Sequence, residues 1–189
     1  GVSLKEWAQQ IRVLEELMHD RGYTHTRVIS AGHELLHLCS AQDAKGETVH
    51  VYITEDSKVG VKTLRRIREE SKRSKCSCVI LLCPHGLTPF AQKEMLCDEE
   101  SIGRIDVFRK AELAFNVTKH SLVPVHTPLS PAEKKKLLVG LGNKASSLPK
   151  IKEGDPIIKY LGLQIGTVVS IKRNFGALET EQYYRLVVA

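Results

Sequence analysis

Cys76-Ser77-Cys78-Val79-Ile80-Leu81-Leu82-Cys83 is a nearly continuous apolar run. A run with no polar alternation is the mark of a strand buried on both faces of its sheet. Helical patterns flank it. Upstream, Val61, Leu64 and Ile67 share one face of a helix spanning about Val61 to Lys72, while Lys62, Arg65, Arg66 and Arg73 share another. Downstream, Thr88-Pro89 reads as an N-cap followed by Pro at the first helical position, opening a short helix to about Leu96. Arg104–Phe108 is a further strand. Two more β-like runs, Glu34–Ser40 and Val49–Thr54, are joined by Asp43-Ala44-Lys45-Gly46, a hairpin turn. Strands alternating with helices predict an α/β first domain, a mixed sheet with helices laid on it.

Further out, Ser3-Leu4-Lys5-Glu6 has the form of a capping box. Leu4, Trp7, Ala8, Ile11, Leu14, Leu17 and Met18 then recur at helical spacing, and Gly22 is a natural stop. Toward the other end, Ser121–Ser130 carries Pro124 and Pro128, which predicts an extended linker. Ser130-Pro131-Ala132-Glu133 is a second capping box, opening a helix through Leu138. Asp155-Pro156 starts a short helix to about Leu161, and Gly162 ends it. Thr167–Arg173 and Gln182–Val188 read as strands joined by a longer loop. The expected organisation is therefore an α/β domain over residues 1–117 and a small α+β domain over 118–189.

Of the 189 residues, 42% are hydrophobic and 26% charged, values normal for a globular protein. No apolar run approaches the roughly 18 residues of a membrane span, so no membrane partner is expected. The N-terminal stretch opens on an amphipathic helical pattern rather than the apolar core of a secretory signal. Five cysteines without framework spacing point to reduced thiols. The net charge of +6 is unevenly spread. Residues 1–118 hold 17 basic and 17 acidic side chains, and residues 119–189 hold 11 and 5. Within the first half, Lys58 to Lys75 holds eight basic residues and two acidic ones. A helix presenting Lys62, Arg65, Arg66 and Arg73 can touch DNA phosphates without reading sequence, although a charge run is more often a solvated helix face. With 5% aromatic residues and none inside the cluster, base stacking is not expected.

Three motifs invite catalytic readings. His33-Glu34-Leu35-Leu36-His37 matches H-E-x-x-H, which needs a helix to bring both imidazoles to one zinc. Here it sits in a strand-like run, where positions four apart lie roughly 13 Å from each other. Cys76, Cys78, Cys83 and His85 lack the paired C-x₂₋₄-C spacing of structural zinc, and buried thiols behave as small hydrophobes. Gly140-Leu141-Gly142-Asn143 lacks the third glycine of a dinucleotide fingerprint and reads as a helix cap and loop. No catalytic residue, metal or cofactor is expected. With no nucleophile and no paired carboxylates, the block around Asp155-Pro156 favours docking over chemistry.

Leu148-Pro149-Lys150-Ile151, Asp155-Pro156, Tyr160, Gly162, Gly166, Val168-Val169, Ile171, Arg173 and Tyr184-Arg185-Leu186-Val187 resemble, in order, the common subunit of eukaryotic nuclear RNA polymerases I, II and III. The C-terminal part of that family corresponds to a small component of the archaeal polymerase. His120-Ser121-Leu122-Val123-Pro124-Val125-His126 looks like the opening of this archaeal-type domain. The first half is similar to the jaw domain that eukaryotic members add, through Trp7, His19-Asp20-Arg21-Gly22-Tyr23, Val59-Gly60-Val61-Lys62-Thr63-Leu64, Thr88-Pro89-Phe90-Ala91, Asp106-Val107-Phe108, Glu112-Leu113 and Asn116. The resemblance spans nearly the whole chain.

The resemblance implies a non-catalytic role in the nucleus. The C-terminal domain would dock on the largest polymerase subunit, with His120, Pro124, His126, Asp155, Pro156, Tyr160, Arg173 and Arg185 as partner-facing candidates. The jaw would stand beside downstream duplex DNA, with Thr88, Pro89 and Phe90 on the DNA side together with Lys62, Arg65 and Arg66. A free-standing basic DNA-binding protein is the alternative the residues leave open.

The chain departs from the family between its last two strands. Family members usually carry Arg-x-Ser-x-Thr-Ala-Gly-Arg there, where this chain has Arg173-Asn174-Phe175-Gly176-Ala177-Leu178-Glu179-Thr180. Glu179 stands at the expected Gly, and would be strained if that position needs positive φ. Lys159 replaces the usual Arg, keeping the charge and losing the fork. These changes predict a paralogue dedicated to one polymerase class, nucleolar if that class is polymerase I. Mass spectrometry of each polymerase class purified from the source cell should find the chain in one class, and equal occupancy of all three would refute the expectation.

Overall fold

The computed structural model describes residues 2–28, 35–97, 103–142, 144–174 and 180–189. The chain divides into two compact units, Gly1–Phe115 and Asn116–Ala189. Both are mixtures of helix and sheet, an α/β first unit and a smaller α+β second one. Among the described residues, no helix is long and apolar enough to cross a membrane.

The first unit is a five-stranded mixed sheet in sequence order, β1 (Tyr23–Val28), β2 (Leu35–Asp43), β3 (Thr48–Thr54), β4 (Cys78–Cys83) and β5 (Arg104–Arg109). The first three strands pair antiparallel, and β3–β4 and β4–β5 pair parallel. Every residue of β4 is buried, as the apolar run predicted. Two parallel steps require two crossovers, and the helices α2 (Val61–Ser74) and α3 (Pro89–Cys97) supply them. Both lie on one face, where Leu64 and Ile67 of α2 and Ala91 and Met95 of α3 pack with Leu35, Tyr52, Val79, Leu81 and Cys83.

The other face carries Val51, Ile53, Ile80, Leu82 and Phe108, all buried. Helix α1 (Ala8–Asp20) serves this side, burying Val13, Leu14, Leu17 and Met18. Its end is pinned by charge. Arg21 Nη1 donates to Asp106 Oδ2 at 2.7 Å, and both side chains are 7% exposed. Arg104 Nε donates to the other oxygen of the same carboxylate at 2.5 Å, and the Arg21 guanidinium also lies 6.0 Å from the Phe108 ring centroid. Gly22 follows at φ +89°, the left-handed turn expected of a helix stop.

The capping box expected at Ser3 does not form. Residues 3–6 make a turn, with the Glu6 amide donating to the Ser3 carbonyl at 3.0 Å, and α1 starts at Ala8. The Ser3 amide, which the box would have satisfied with Glu6, donates instead to the Glu55 carboxylate at 2.7 Å. A distant acceptor outcompetes the local one. At the sheet edge, Gly103 permits close approach of the chain: a Cβ there would stand 2.1 Å from the Ser77 carbonyl oxygen.

The second unit is a four-stranded sheet of order β6 (Val125–Pro128), β8 (Val168–Asn174), β9 (Thr180–Val188) and β7 (Lys150–Lys152). The stretch expected to be a linker thus contains an edge strand. Pro128 is tolerated at its end because an edge strand leaves one side of its backbone unpaired. Helix α4 (Pro131–Gly140) opens on the predicted capping box, the Ser130 hydroxyl accepting from the Glu133 amide and the Glu133 carboxylate accepting from the Ser130 amide. Helix α5 (Pro156–Leu161) is capped by Asp155 and closed by Gly162 at φ +69°. Its Ile158 enters a core with Ile151, Val169, Ile171 and Val187.

Replacing Asp106 with Ala would remove the carboxylate that Arg21 and Arg104 both grip. A loss of about 3–5 kcal/mol is expected for the first unit, read as a lower urea midpoint. An unchanged midpoint would refute the pinning role.

Candidate DNA-facing and docking surfaces

On the first unit, the basic cluster and the Thr-Pro-Phe turn share the α2–α3 side of the sheet. Lys62, Arg65 and Arg66 are exposed on α2. Arg68, three residues on, is turned inward and buried. Thr88 caps α3, its hydroxyl accepting from the Ala91 amide at 3.2 Å, and its own amide donates to the Val59 carbonyl at 3.0 Å. Pro89 and Phe90 are exposed, and Phe90 keeps 77% of its surface in solvent.

Arg65 is engaged within the fold. Its Nε and Nη2 donate to the two carboxylate oxygens of Glu94 on α3, at 2.6 and 3.2 Å. Arg68 Nη2 adds a bond to the Glu94 carbonyl at 3.2 Å. The Arg65 fork holds the Glu94 carboxyl below its ordinary pKa. Sequence reading placed Arg65 with Lys62 and Arg66 as equals and missed Glu94 altogether, because the pair spans two helices and leaves no local signal.

The described residues of the two metal-like motifs sit within strands of the first unit or beside them. His33 and Glu34 lie outside the described residues. His37 is stacked between His50, 4.7 Å away centroid to centroid, and Tyr52, 4.5 Å away. His37 Nε2 and His50 Nδ1 are buried and have no hydrogen-bond partner among the described residues. Burial lowers both imidazole pKa values, with Glu70 opposing it in each case and His37 adding to it at His50. The three thiols of the cysteine cluster do not converge either. The register puts Cys78 on the α1 face and Cys83 on the α2 face. Cys76 donates to the Cys78 carbonyl at 2.7 Å and Cys83 to the Phe108 carbonyl at 3.7 Å. Burial pushes the Cys78 thiol up to about 12. Among the described residues, no group of three or more His, Cys, Asp or Glu side chains is placed to hold a metal ion.

On the second unit, the antiparallel register assembles three of the partner-facing candidates. His126 pairs with Ile171, Ile171 with Tyr183, and Val169 with Arg185. Side chains two apart on a strand share a face, so His126, Arg173 and Arg185 all belong to the face that carries Ile171 and Val169. Arg173 is exposed. The Arg185 guanidinium lies 5.7 Å from the Tyr183 ring centroid, and its Nε is buried with no hydrogen-bond partner among the described residues. His126 Nδ1 bonds the Pro124 carbonyl at 2.8 Å, and His120 Nδ1 accepts from the Leu122 amide at 3.2 Å.

Two other candidates serve the fold itself. Asp155 Oδ1 accepts from the Ile157 amide at 2.9 Å, with the exposed Pro156 at the first helical position. Tyr160 is 2% exposed, and its hydroxyl accepts from Asn116 Nδ2 at 2.9 Å. Asn116 Oδ1 in turn accepts from the Thr118 amide and hydroxyl. The Asn-x-Thr spacing is the one local signal that could have marked this junction. Leu122 and Val125, beside His120 and Pro124, are 81% and 61% exposed.

The family model for "RNA polymerase Rpb5, C-terminal domain" matches residues 115–187. Over 187 residues, 99% of this chain, the sequence is 33% identical to the protein named DNA-directed RNA polymerases I, II, and III subunit RPABC1 of Caenorhabditis briggsae, covering 87% of that relative. The chain belongs to the Rpb5 family of RNA polymerase subunits. The proteins of the same name in Caenorhabditis elegans and Dictyostelium discoideum are 35% and 32% identical to it, over 82% and 79% of this chain and 73% and 77% of their own lengths. The Rpb5 C-terminal match begins at Phe115, one residue before the second compact unit, and so covers the sheet that carries His126, Arg173 and Arg185.

A pH dependence follows from the stacked histidines. Their folded-state pKa values lie below the ordinary 6.5, so the unfolded chain takes up protons first as pH falls. The melting temperature should therefore drop below about pH 6.5. The difference in melting temperature between wild type and a His37→Phe, His50→Gln variant should narrow or reverse in the variant's favour over that range. A difference that stays constant from pH 7.5 to 5 would refute the assignment.

Proposed function

We propose that this chain is a non-catalytic, structural subunit of a nuclear DNA-directed RNA polymerase. Its second unit docks on the largest subunit, and its first unit is a jaw placed beside downstream duplex DNA. The observation that carries the reading is the likeness over 99% of the chain to relatives named as the common subunit of polymerases I, II and III. The match of residues 115–187 to the Rpb5 C-terminal domain supports assigning assembly to the second unit.

The chemistry on each unit suits the division of labour. The exposed Arg173, on the sheet face that also carries His126 and Arg185, suits a partner with acceptor groups. Asp155 and Tyr160 contribute by holding α5 in place. On the first unit, exposed Lys62 and Arg66 with the turn at Thr88–Phe90 suit passing contact with a phosphate backbone, which is weak, sequence-independent and salt-sensitive.

Gel filtration of a native extract tests the reading. The chain should co-elute with a multisubunit polymerase, and the isolated chain should bind duplex DNA weakly, losing affinity steeply with salt. Elution as a free small protein, with tight and sequence-selective DNA binding, would favour a free-standing DNA-binding protein instead.

A further inference from the structure

We infer that Arg65 is a positioning residue rather than a phosphate contact: with Arg68 it grips Glu94, and this clamp sets the Thr88–Phe90 turn against the basic face of α2. The inference rests on the DNA-side reading of that surface and sharpens it.

Three observations carry it. First, the two-pronged Arg65–Glu94 contact uses Nε and one terminal nitrogen on both carboxylate oxygens, at 2.6 and 3.2 Å. This is the fork geometry that a phosphate would also use, so a phosphate has to compete with Glu94 for the same edge of the guanidinium. Second, the buried Arg68 reaches the carbonyl of the same residue at 3.2 Å, so side chain and backbone of Glu94 are held from one helix. Third, the start of α3 is tied separately. Val59, just before α2, donates to the Gly86 carbonyl at 2.9 Å and accepts from the Thr88 amide at 3.0 Å.

Helices α2 and α3 are thus joined at two levels, at their N-termini by backbone and further along by the clamp. A short helix fixed at both levels cannot pivot, and the exposed Pro89 and Phe90 keep their place relative to Lys62 and Arg66. The Arg65–Glu94 pair is neutral as a unit. The positive charge that this side offers a duplex therefore includes Lys62 and Arg66 and not Arg65.

The test uses the full chain and a 30-base-pair duplex, with binding measured across a salt series. Lys62→Gln and Arg66→Gln should each reduce the slope of log K against log salt by about 0.9, whereas Arg65→Gln should leave it unchanged. In parallel, hydrogen exchange of the α3 amides from Ala91 to Leu96 should speed up about two- to fivefold in Arg65→Gln and in Glu94→Gln. It should not change in Lys62→Gln. The exchanged pair Arg65→Glu with Glu94→Arg should restore slow exchange. A slope loss in Arg65→Gln equal to that in Lys62→Gln overturns the inference, as does unaltered α3 exchange in Glu94→Gln. If Lys62→Gln and Arg66→Gln leave the slope untouched, the DNA-side reading fails by itself, and the clamp is then decided by the exchange measurements.

Discussion

The first unit is organised by the need to bury strand β4 on both faces. Six consecutive residues, Cys78–Cys83, have no solvent-facing side. Such a strand must sit inside a sheet with helices on either side, and parallel neighbours are the arrangement that provides them. Pairing β3, β4 and β5 in parallel forces a crossover before and after β4, and α2 and α3 are those crossovers. Their shared core with Val79, Leu81 and Cys83 puts them on one face. The basic residues of α2 and the Thr88–Phe90 turn become neighbours as a consequence, without any contact between them in sequence.

Charge in this protein is easily overcounted. The cluster from Lys58 to Lys75 looks in sequence like one cationic stripe. In the fold Arg68 turns inward, Arg65 is paired across to α3, and only part of the stripe stays exposed and outside the fold's own ion pairs. Arg21 and Arg104 are likewise engaged by Asp106, holding the end of α1 against β5. Arginine suits such places because its planar fork satisfies a carboxylate at two points and loses little hydration when buried. Net charge therefore describes the average field of the chain, whereas the local charge of a surface depends on which guanidinium groups are already taken.

The second unit has a smaller core and relies on register. Ile151, Ile158, Val169, Ile171 and Val187 form its apolar centre. The antiparallel ladder that aligns them also lines up His126, Arg173 and Arg185, because side chains two apart must share a face. Asn116 and Tyr160 close the unit from within. A tyrosine with its hydroxyl bonded to a buried amide is a structural tie, even though its position in a family motif suggests a contact residue.

Local signals in the sequence were enough for the apolar strand at Cys78–Cys83, the helices opened by Thr88-Pro89, Ser130 and Asp155, the hairpin at Gly46, the α/β class and the family. Each of these elements depends on side chains within one turn or one strand, and the class and the family follow from their order along the chain. The strand at Val125–Pro128 was hidden, because its prolines read as a linker and its pairing with β8 is set by residues more than 40 positions away. The cap at Ser3 failed for the same reason, as Glu55 lies 52 positions from it. Tertiary structure alone decided that His37 stacks on His50 and Tyr52 and that Arg65 closes on Glu94. In each of these, the partner that determines what the side chain does is brought close by the fold and not by the chain.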